Sequence, residues 1–254
     1  MPICPPNHLS ALSISDYVSI IKWLQGNSNK MLVLTRSIAM VTGACLILIL
    51  LSRIDLTIAS QFPSELVPFM QFGVDFSEWV IFSVILVSFI EHQVHSQLMH
   101  RRNWLSKHKK SFQRIFESHA LDHHQHYSKI FVDEPVPEGE DKEIRLNVHK
   151  APIKMLPIAL VIAIFSIPCA ITFLAVATLH HWIWNKIHLE MHKPEDRKFK
   201  KWPIYKFLAR HHYLHHQYQN KNFNVVFPFA DYIMGTDARA TEVDIAKMKA
   251  LGYL

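Results

Sequence analysis

The sequence predicts an all-α integral membrane protein. About four transmembrane helices form two hairpins, and the polar segments lie together on one side. Three observations carry this: three long apolar runs, a one-sided distribution of basic residues, and a proline inside the third run. Met31–Leu51, Phe69–Ile90 and Met155–Leu179 are each long enough to cross a hydrocarbon core, which needs about 20 helical residues. A soluble core of 254 residues seldom needs three such runs.

The N-terminal stretch 1–30 has no basic start followed by an unbroken apolar run, so no cleavable signal is expected. Leu9–Leu24 is weakly amphipathic and reads as an interfacial segment. Residues 52–73 carry one basic residue, Arg53, whereas 93–150 carry ten and 185–254 carry twelve. Basic flanks mark the cytoplasmic side. Both large polar segments are therefore expected in the cytosol, at a bacterial inner membrane or the endoplasmic reticulum. The net charge of +6 is spread along segments that also carry acids, so it reports topology and not nucleic-acid binding. Cys4, Cys45 and Cys169 are scattered and suggest neither a disulfide framework nor a thiolate metal site.

If 93–150 and 185–254 share a side, the run between them crosses an even number of times. Pro168, in "FSIPCA", removes a helix donor and disfavours helix at Ile167. A helical hairpin turning near Ser166–Cys169 is expected, with arms Asn147–Ile167 and Cys169–Lys186 of about 30 Å each. A single Pro-kinked helix is the competing reading.

Seventeen of the eighteen histidines follow residue 91, in clusters outside the apolar runs. The spacings are H-x4-H at His95/His100 and H-x3-HH at His119/His123/His124. Then come H-x3-H at His188/His192 and H-x2-HH at His212/His215/His216. Residues three or four apart share a helix face, so His119 with His123, His188 with His192, and His212 with His215 and His216 can converge. His95 and His100 lie about 140° apart on a regular helix. They serve different metals, or the helix unwinds there. Imidazole suits zinc, copper, iron and nickel. Ten converging imidazoles exceed one ion's ligand number, so two metals are expected. His92, His108, His126, His149, His180 and His181 read as ordinary, the last two at the membrane interface, while His211 stays open because it too lies four residues from His215.

This set of spacings resembles the fatty acid hydroxylase superfamily, which includes sterol desaturases and fatty-acid 2-hydroxylases. "NFNVVFPFADYIMGT" resembles its closing segment, through Asn224, Asp231, Gly235 and Thr236. The resemblance spans roughly 75–236 and assigns 31–236 to the membrane catalytic domain, with 237–254 as a C-terminal helix or tail. The polar stretch 127–146 is unmatched and reads as a surface loop inserted near the substrate entrance.

The resemblance implies a four-helix membrane stem capped by a cytosolic helical domain with a His-lined dimetal site. It also implies O2-dependent chemistry on a lipid C–H bond, hydroxylation or desaturation. Such chemistry needs a redox metal, which zinc is not, so two iron ions are expected, with zinc possible in purified protein. Soluble di-iron bundles use Glu and Glu-x-x-His ligands. That pattern is absent, since Glu91 precedes His95 by four and Glu190 precedes His192 by two. Asp122, Glu190, Asn224 and Asp231 are expected to orient imidazoles. The lipid tail is expected near Trp79–Ile90 and Met155–Leu179, with Trp104, Trp182, Trp184 and Trp202 as interface anchors. Neither a His-Pro-Gly-Gly haem motif nor a Gly-rich dinucleotide fingerprint occurs, so a separate cytochrome b5- or ferredoxin-type donor must supply electrons. The basic stretch Lys193–Lys206 is its expected dock. A His-rich metal transporter is the rival reading, but transporters place ionisable groups near the bilayer midplane, and these runs are almost empty of them.

Overall fold

The computed structural model describes residues 66–135, 146 and 148–254. The expected interfacial segment, the first apolar run and residues 136–145 of the insertion lie outside the described residues. Among those described the protein is all helical. α1 (Val67–Gln93) runs directly into a π-helical turn, Val94–Met99. α2 (Trp104–His108) and α3 (Lys110–Phe116) lead into a second π-helical turn, Glu117–His123, and a short α4 (His124–Tyr127). α5 (Ala151–Ala163) and α6 (Ile167–His192) follow. α7 (Pro203–Gln217), α8 (Phe229–Met234) and α9 (Glu242–Ala250) complete the chain.

Two helical stretches, Gln71–Met99 and Ile167–His192, are long and apolar enough to cross a membrane. Only small shares of their apolar windows, 17% and 33%, are buried inside the protein. Phe72, Phe76 and Ile81 on α1 are exposed, as are Ile153, Leu160, Val161, Ile164 and Phe165 around α5. A band of that extent is costly in water and is compatible with a lipid surrounding. Where α1, α5 and α6 meet, Val87, Ala159, Phe173 and Ala177 are buried together; the two alanines let the helix backbones approach closely.

The third run does reverse, and α5 packs along α6. The turn is Ile164–Ser166, slightly earlier than the proline suggested. Pro168 opens α6 instead of closing α5: near a helix start its missing N–H costs nothing. Ser166 accepts the Cys169 N–H as N-cap, at 3.3 Å. The arms are unequal. α5 has 13 residues, about 20 Å, while α6 has 26, about 39 Å. α6 thus continues beyond the hairpin to carry His188 and His192. Asn185 clasps Leu146 through both backbone groups, at 2.6 and 2.7 Å, so the chain enters the hairpin at the end where α6 leaves it. Single cysteines at Lys150 and Lys198 are expected to label from the same side of sealed vesicles; labelling from opposite sides would contradict the hairpin.

A second core lies beyond the apolar helices. Trp184, Ile187 and Met191 of α6 pack with Tyr205, Leu208, Ala209 and Tyr213 of α7, and with Met248 and Tyr253 of the C-terminal segment. α9 starts in a capping box between Thr241 and Asp244. The Arg210 guanidinium donates to the Tyr253 carbonyl at 2.7 Å, which fastens that segment to α7. Trp104, Trp182 and Trp202 are exposed, but Trp184 is buried with its ring 4.0 Å from that of His188. The stretch 127–146 is not simply a surface loop. Tyr127 and Phe131 at its start are buried, and the Phe131 carbonyl takes part in the site.

Candidate metal centre

The ten histidines divide into two groups of five. His95, His100, His119, His124 and His215 form one, and His123, His188, His192, His212 and His216 the other. Within each, one nitrogen per residue lies within 4.8 Å of all the rest. Nine of the ten are buried; His100 is partly exposed.

The π-helical turns explain the division. The His100 N–H bonds to the His95 carbonyl at 3.1 Å, an i→i+5 closure. The His124 N–H likewise closes on the His119 carbonyl. The wider turn puts residues five apart on one face, so His95 joins His100 and His119 joins His124. The helix unwinds, as one of the two sequence readings allowed, and both rings reach the same group. The expected pairing of His119 with His123 is overturned: His123 crosses to the second group. That group takes the i,i+4 pairs His188/His192 and His212/His216 from regular α-helix. His215, one residue short of that face, crosses to the first. The groups share a wall, with the His124 and His216 rings stacked at 4.3 Å and those of His119 and His123 at 5.0 Å.

Ring tautomers point to a cation. His192 Nδ1 faces the Phe131 carbonyl at 2.9 Å, His215 Nδ1 faces the Lys221 carbonyl at 2.6 Å, and His95 Nδ1 faces the Phe223 carbonyl. A carbonyl only accepts, so each Nδ1 carries the proton and each Nε2 presents a bare lone pair. Those lone pairs point at other imidazoles. His95 Nε2 is 2.8 Å from His119 Nε2, His215 Nε2 is 3.1 Å from both His100 and His124, and His192 Nε2 is 3.0 Å from His212. Nitrogens bound at right angles about 2.1 Å from a common ion lie about 3.0 Å apart. Both ring nitrogens of fully buried His123 lack a hydrogen-bond partner among the described residues, a costly state unless a metal satisfies one of them. The donor set therefore fits two transition-metal ions.

Electrostatics keep the rings neutral. Burial first, then the repulsion of neighbouring imidazoles, holds His119, His123, His124, His212, His215 and His216 below the ordinary value of 6.5. The same causes push His100 down to about 2. Below pH 6.5 the unfolded chain takes up protons that the folded site refuses, so stability falls as pH falls. Metal held through desalting at pH 7.5 is expected to be lost progressively as pH falls below about 6.5, with a slope steeper than one proton. A shallow one-proton curve would contradict a buried multi-imidazole site.

The four expected orienting residues differ in role. Asp231 is fully buried and saturated. It accepts from the Phe223 and Asn224 N–H groups at 2.9 and 2.8 Å, Thr236 Oγ1 at 2.7 Å and His211 Nε2 at 3.0 Å. Burial raises its pKa, but the hydrogen bonds and charge of His211, with Thr236 and the Asn224 amide, hold it below the ordinary carboxylate value. It acts on His95 indirectly, through the Phe223 peptide whose carbonyl takes the His95 proton. Asn224 touches no imidazole; its amide donates to the Ser88 carbonyl and Glu91 Oε2. Glu190 is buried but pairs with Arg197 at 2.6 Å and accepts the Glu195 and Arg197 N–H groups, so it shapes the turn after α6. Asp122 is exposed, because the π-helical turn buries His119 and His123 and leaves residue 122 facing solvent. For His95, His192 and His215, backbone carbonyls perform the orientation expected of carboxylates.

Sequence reasoning missed Glu91, His92 and His211. Glu91 accepts from the Val225 N–H at 2.9 Å and Asn224 Nδ2 at 3.0 Å, and pairs with His180 Nε2 at 3.2 Å. It joins α1, α6 and the 222–236 segment just below His95. An ionisable group in an apolar run, one turn before a candidate ligand, was the available signal. His211 and His92 back Asp231, directly and through Thr236, and neither belongs to a five-imidazole group.

The segment that carries half of these imidazoles decides the family resemblance. Residues 140–236 match the fatty acid hydroxylase family model. No curated protein and no solved structure matches the chain. The fatty acid hydroxylase match includes His188, His192, His212, His215 and His216, together with Asn224 and Asp231. His95 to His124 precede it, and they join the matched histidines in space. The chain thus resembles fatty acid hydroxylases in sequence and presents clusters able to bind metal at the ends of membrane-compatible helices.

Proposed function

We propose that this protein is a membrane-bound, O2-dependent di-iron oxygenase that hydroxylates a lipid: a fatty acyl chain, a sphingolipid or a sterol. The observation that carries the reading is the pair of five-imidazole groups set at the ends of two lipid-compatible helices. Each group would hold one iron, and iron supplies the redox chemistry an unactivated C–H bond demands, which zinc does not. Imidazole sites also bind zinc well, so protein purified from cells can carry it.

The chain's own residues have defined tasks. The Phe131, Lys221 and Phe223 carbonyls fix the tautomers of His192, His215 and His95, and burial keeps water from the site. The exposed apolar faces of α1, α5 and α6 would keep the lipid tail in the bilayer. A groove of about 570 Å³ between α5 and α6, lined by Pro152, Leu174, Thr178, Leu179 and Trp182, suits an acyl chain on its way to the cap. The topology that suits this chemistry is a multi-pass one with the cap in the cytosol, where a separate cytochrome b5- or ferredoxin-type protein supplies electrons.

Desaturation with the same site is the second reading, since both outcomes begin with hydrogen abstraction. A transporter is disfavoured because the imidazoles form closed groups at helix ends and do not line a path across the bilayer. Feeding lipids under ¹⁸O2 to cells with and without the protein tests the proposal. Label in a lipid hydroxyl supports hydroxylation, and a new double bond without label supports desaturation. Metal flux in proteoliposomes with no oxidised lipid would overturn both.

A further inference from the structure

Two basic stretches are candidate docks for the electron donor: Lys193–Lys206, which the sequence suggested, and residues 101–110. Within Lys193–Lys206 three of the six basic side chains are paired with acids of this chain. Lys193 is buried against Asp133, Arg197 pairs with Glu190 and Glu195 at 2.6 Å each, and Lys200 pairs with Asp196 at 2.7 Å. The contrast lies at residues 101–110, "RRNWLSKHKK", which contain five arginines and lysines and no acid. Arg101, Arg102, Lys107, Lys109 and Lys110 are all exposed, and none forms a salt bridge among the described residues.

This patch begins at the one candidate ligand that reaches the surface. His100, alone among the ten, is partly exposed, and its Nε2 sits 3.1 Å from that of His215 inside the first group. Trp104, four residues further along the chain, is 65% exposed, with its ring stacked on that of His108 at 4.8 Å. The platform is rigid. Asn103 and Ser106 form a capping box, and Asn103 Nδ2 donates to the Gln97 carbonyl in the π-helical turn at 2.5 Å. Five exposed cations, an exposed aromatic and a partly exposed imidazole of the buried site, within eleven consecutive residues, have the composition of a transient interface for an acidic partner.

Lipid headgroups are the competing occupant of a basic patch after a membrane helix. Height argues against them. Glu91 pairs with His180 close to exposed Leu179 and Trp182, the last lipid-compatible level of α6. His100 lies nine residues further along, up to about 13 Å beyond that level. The headgroup layer is only about 5–7 Å deep on each side.

We propose that residues 101–110 are the docking surface for an acidic one-electron carrier protein, with His100 as the imidazole nearest the bound donor. This rests on the oxygenase reading for its purpose. Hydroxylation, RH + O2 + 2 e⁻ + 2 H⁺ → ROH + H2O, takes two electrons from outside the chain. Two donor molecules, each oxidised by one electron at this face, supply them.

Binding tests the proposal without turnover. The probe is the soluble acidic haem domain of a cytochrome b5, titrated against metal-loaded protein in zwitterionic nanodiscs at low and at 300 mM salt. The expected result is binding that weakens at high salt, and weakens about tenfold or more at low salt in R101E/R102E/K109E/K110E. K198E/K201E/K206E should change it less than about twofold. Metal content should match wild type in both, and a milder R101Q/R102Q variant should give an intermediate loss. Unchanged binding in the 101–110 variants, or loss confined to the 198–206 variant, overturns the proposal. So does a 101–110 defect seen only against phosphatidylserine vesicles, which would assign the patch to lipid. If docking behaves as expected yet no lipid is oxidised, the oxygenase reading fails while the interface stands.

Discussion

His123→Ala and His215→Ala are each expected to abolish lipid turnover and to retain about one metal ion per chain, while the protein still inserts and folds. The two substitutions strike different groups. His123 belongs with His188, His192, His212 and His216, and His215 with His95, His100, His119 and His124. Loss of a second-sphere partner commonly costs 10–100-fold, so loss of a buried ligand is expected to cost more than about 100-fold. Metal analysis of the purified variants checks the stoichiometry, and product analysis checks the turnover. The double variant is expected to hold no ion. Wild-type activity in either single variant would contradict the assignment. Loss of both ions from His123→Ala alone would show that the two groups act as one site.

Asp231→Asn carries the second large effect. The carboxylate accepts four hydrogen bonds at full burial, two of them from the peptide N–H groups of Phe223 and Asn224. An asparagine keeps one acceptor oxygen and turns an N–H₂ toward donors. That strands at least one buried donor and leaves His211 without its anion. Breaking such a buried, charged network costs about 3–5 kcal/mol. The Phe223 carbonyl then loses its position against His95 Nδ1, so metal affinity of the first group is expected to fall about 10–100-fold. The second group, held by the Phe131 carbonyl, is expected to keep its ion. Chelator competition that resolves two affinities measures this, and equal weakening at both would show that Asp231 supports only the overall fold.

Much of this architecture was legible in the residues. Apolar runs and Pro168 indicated the reversal between α5 and α6, because hydropathy and a missing N–H act locally. The ten imidazoles stood out by density and spacing. Their division into groups did not. It depends on two π-helical turns, and H-x4-H and HH spacings read on a regular helix give the wrong partners for His119 and His215. The roles of Asp122 and Glu190 were misread for a related reason. The rings of His95, His192 and His215 are oriented by main-chain carbonyls, which every residue possesses and no sequence pattern marks. Glu91 drew notice in the sequence only for its spacing from His95, because the 222–236 segment that it anchors lies far along the chain. The charge along 193–206 looked freer than it is because two of its pairing acids, Glu190 and Asp133, lie outside the basic run.

The most direct test of the account is X-ray absorption at the metal edge on protein reconstituted anaerobically with ferrous iron, with metal counted on the same sample. The account predicts two ions per chain and a first shell of about five nitrogens near 2.1 Å, with strong outer-shell scattering from imidazole rings. One ion or none, or a first shell dominated by carboxylate oxygen, would contradict it.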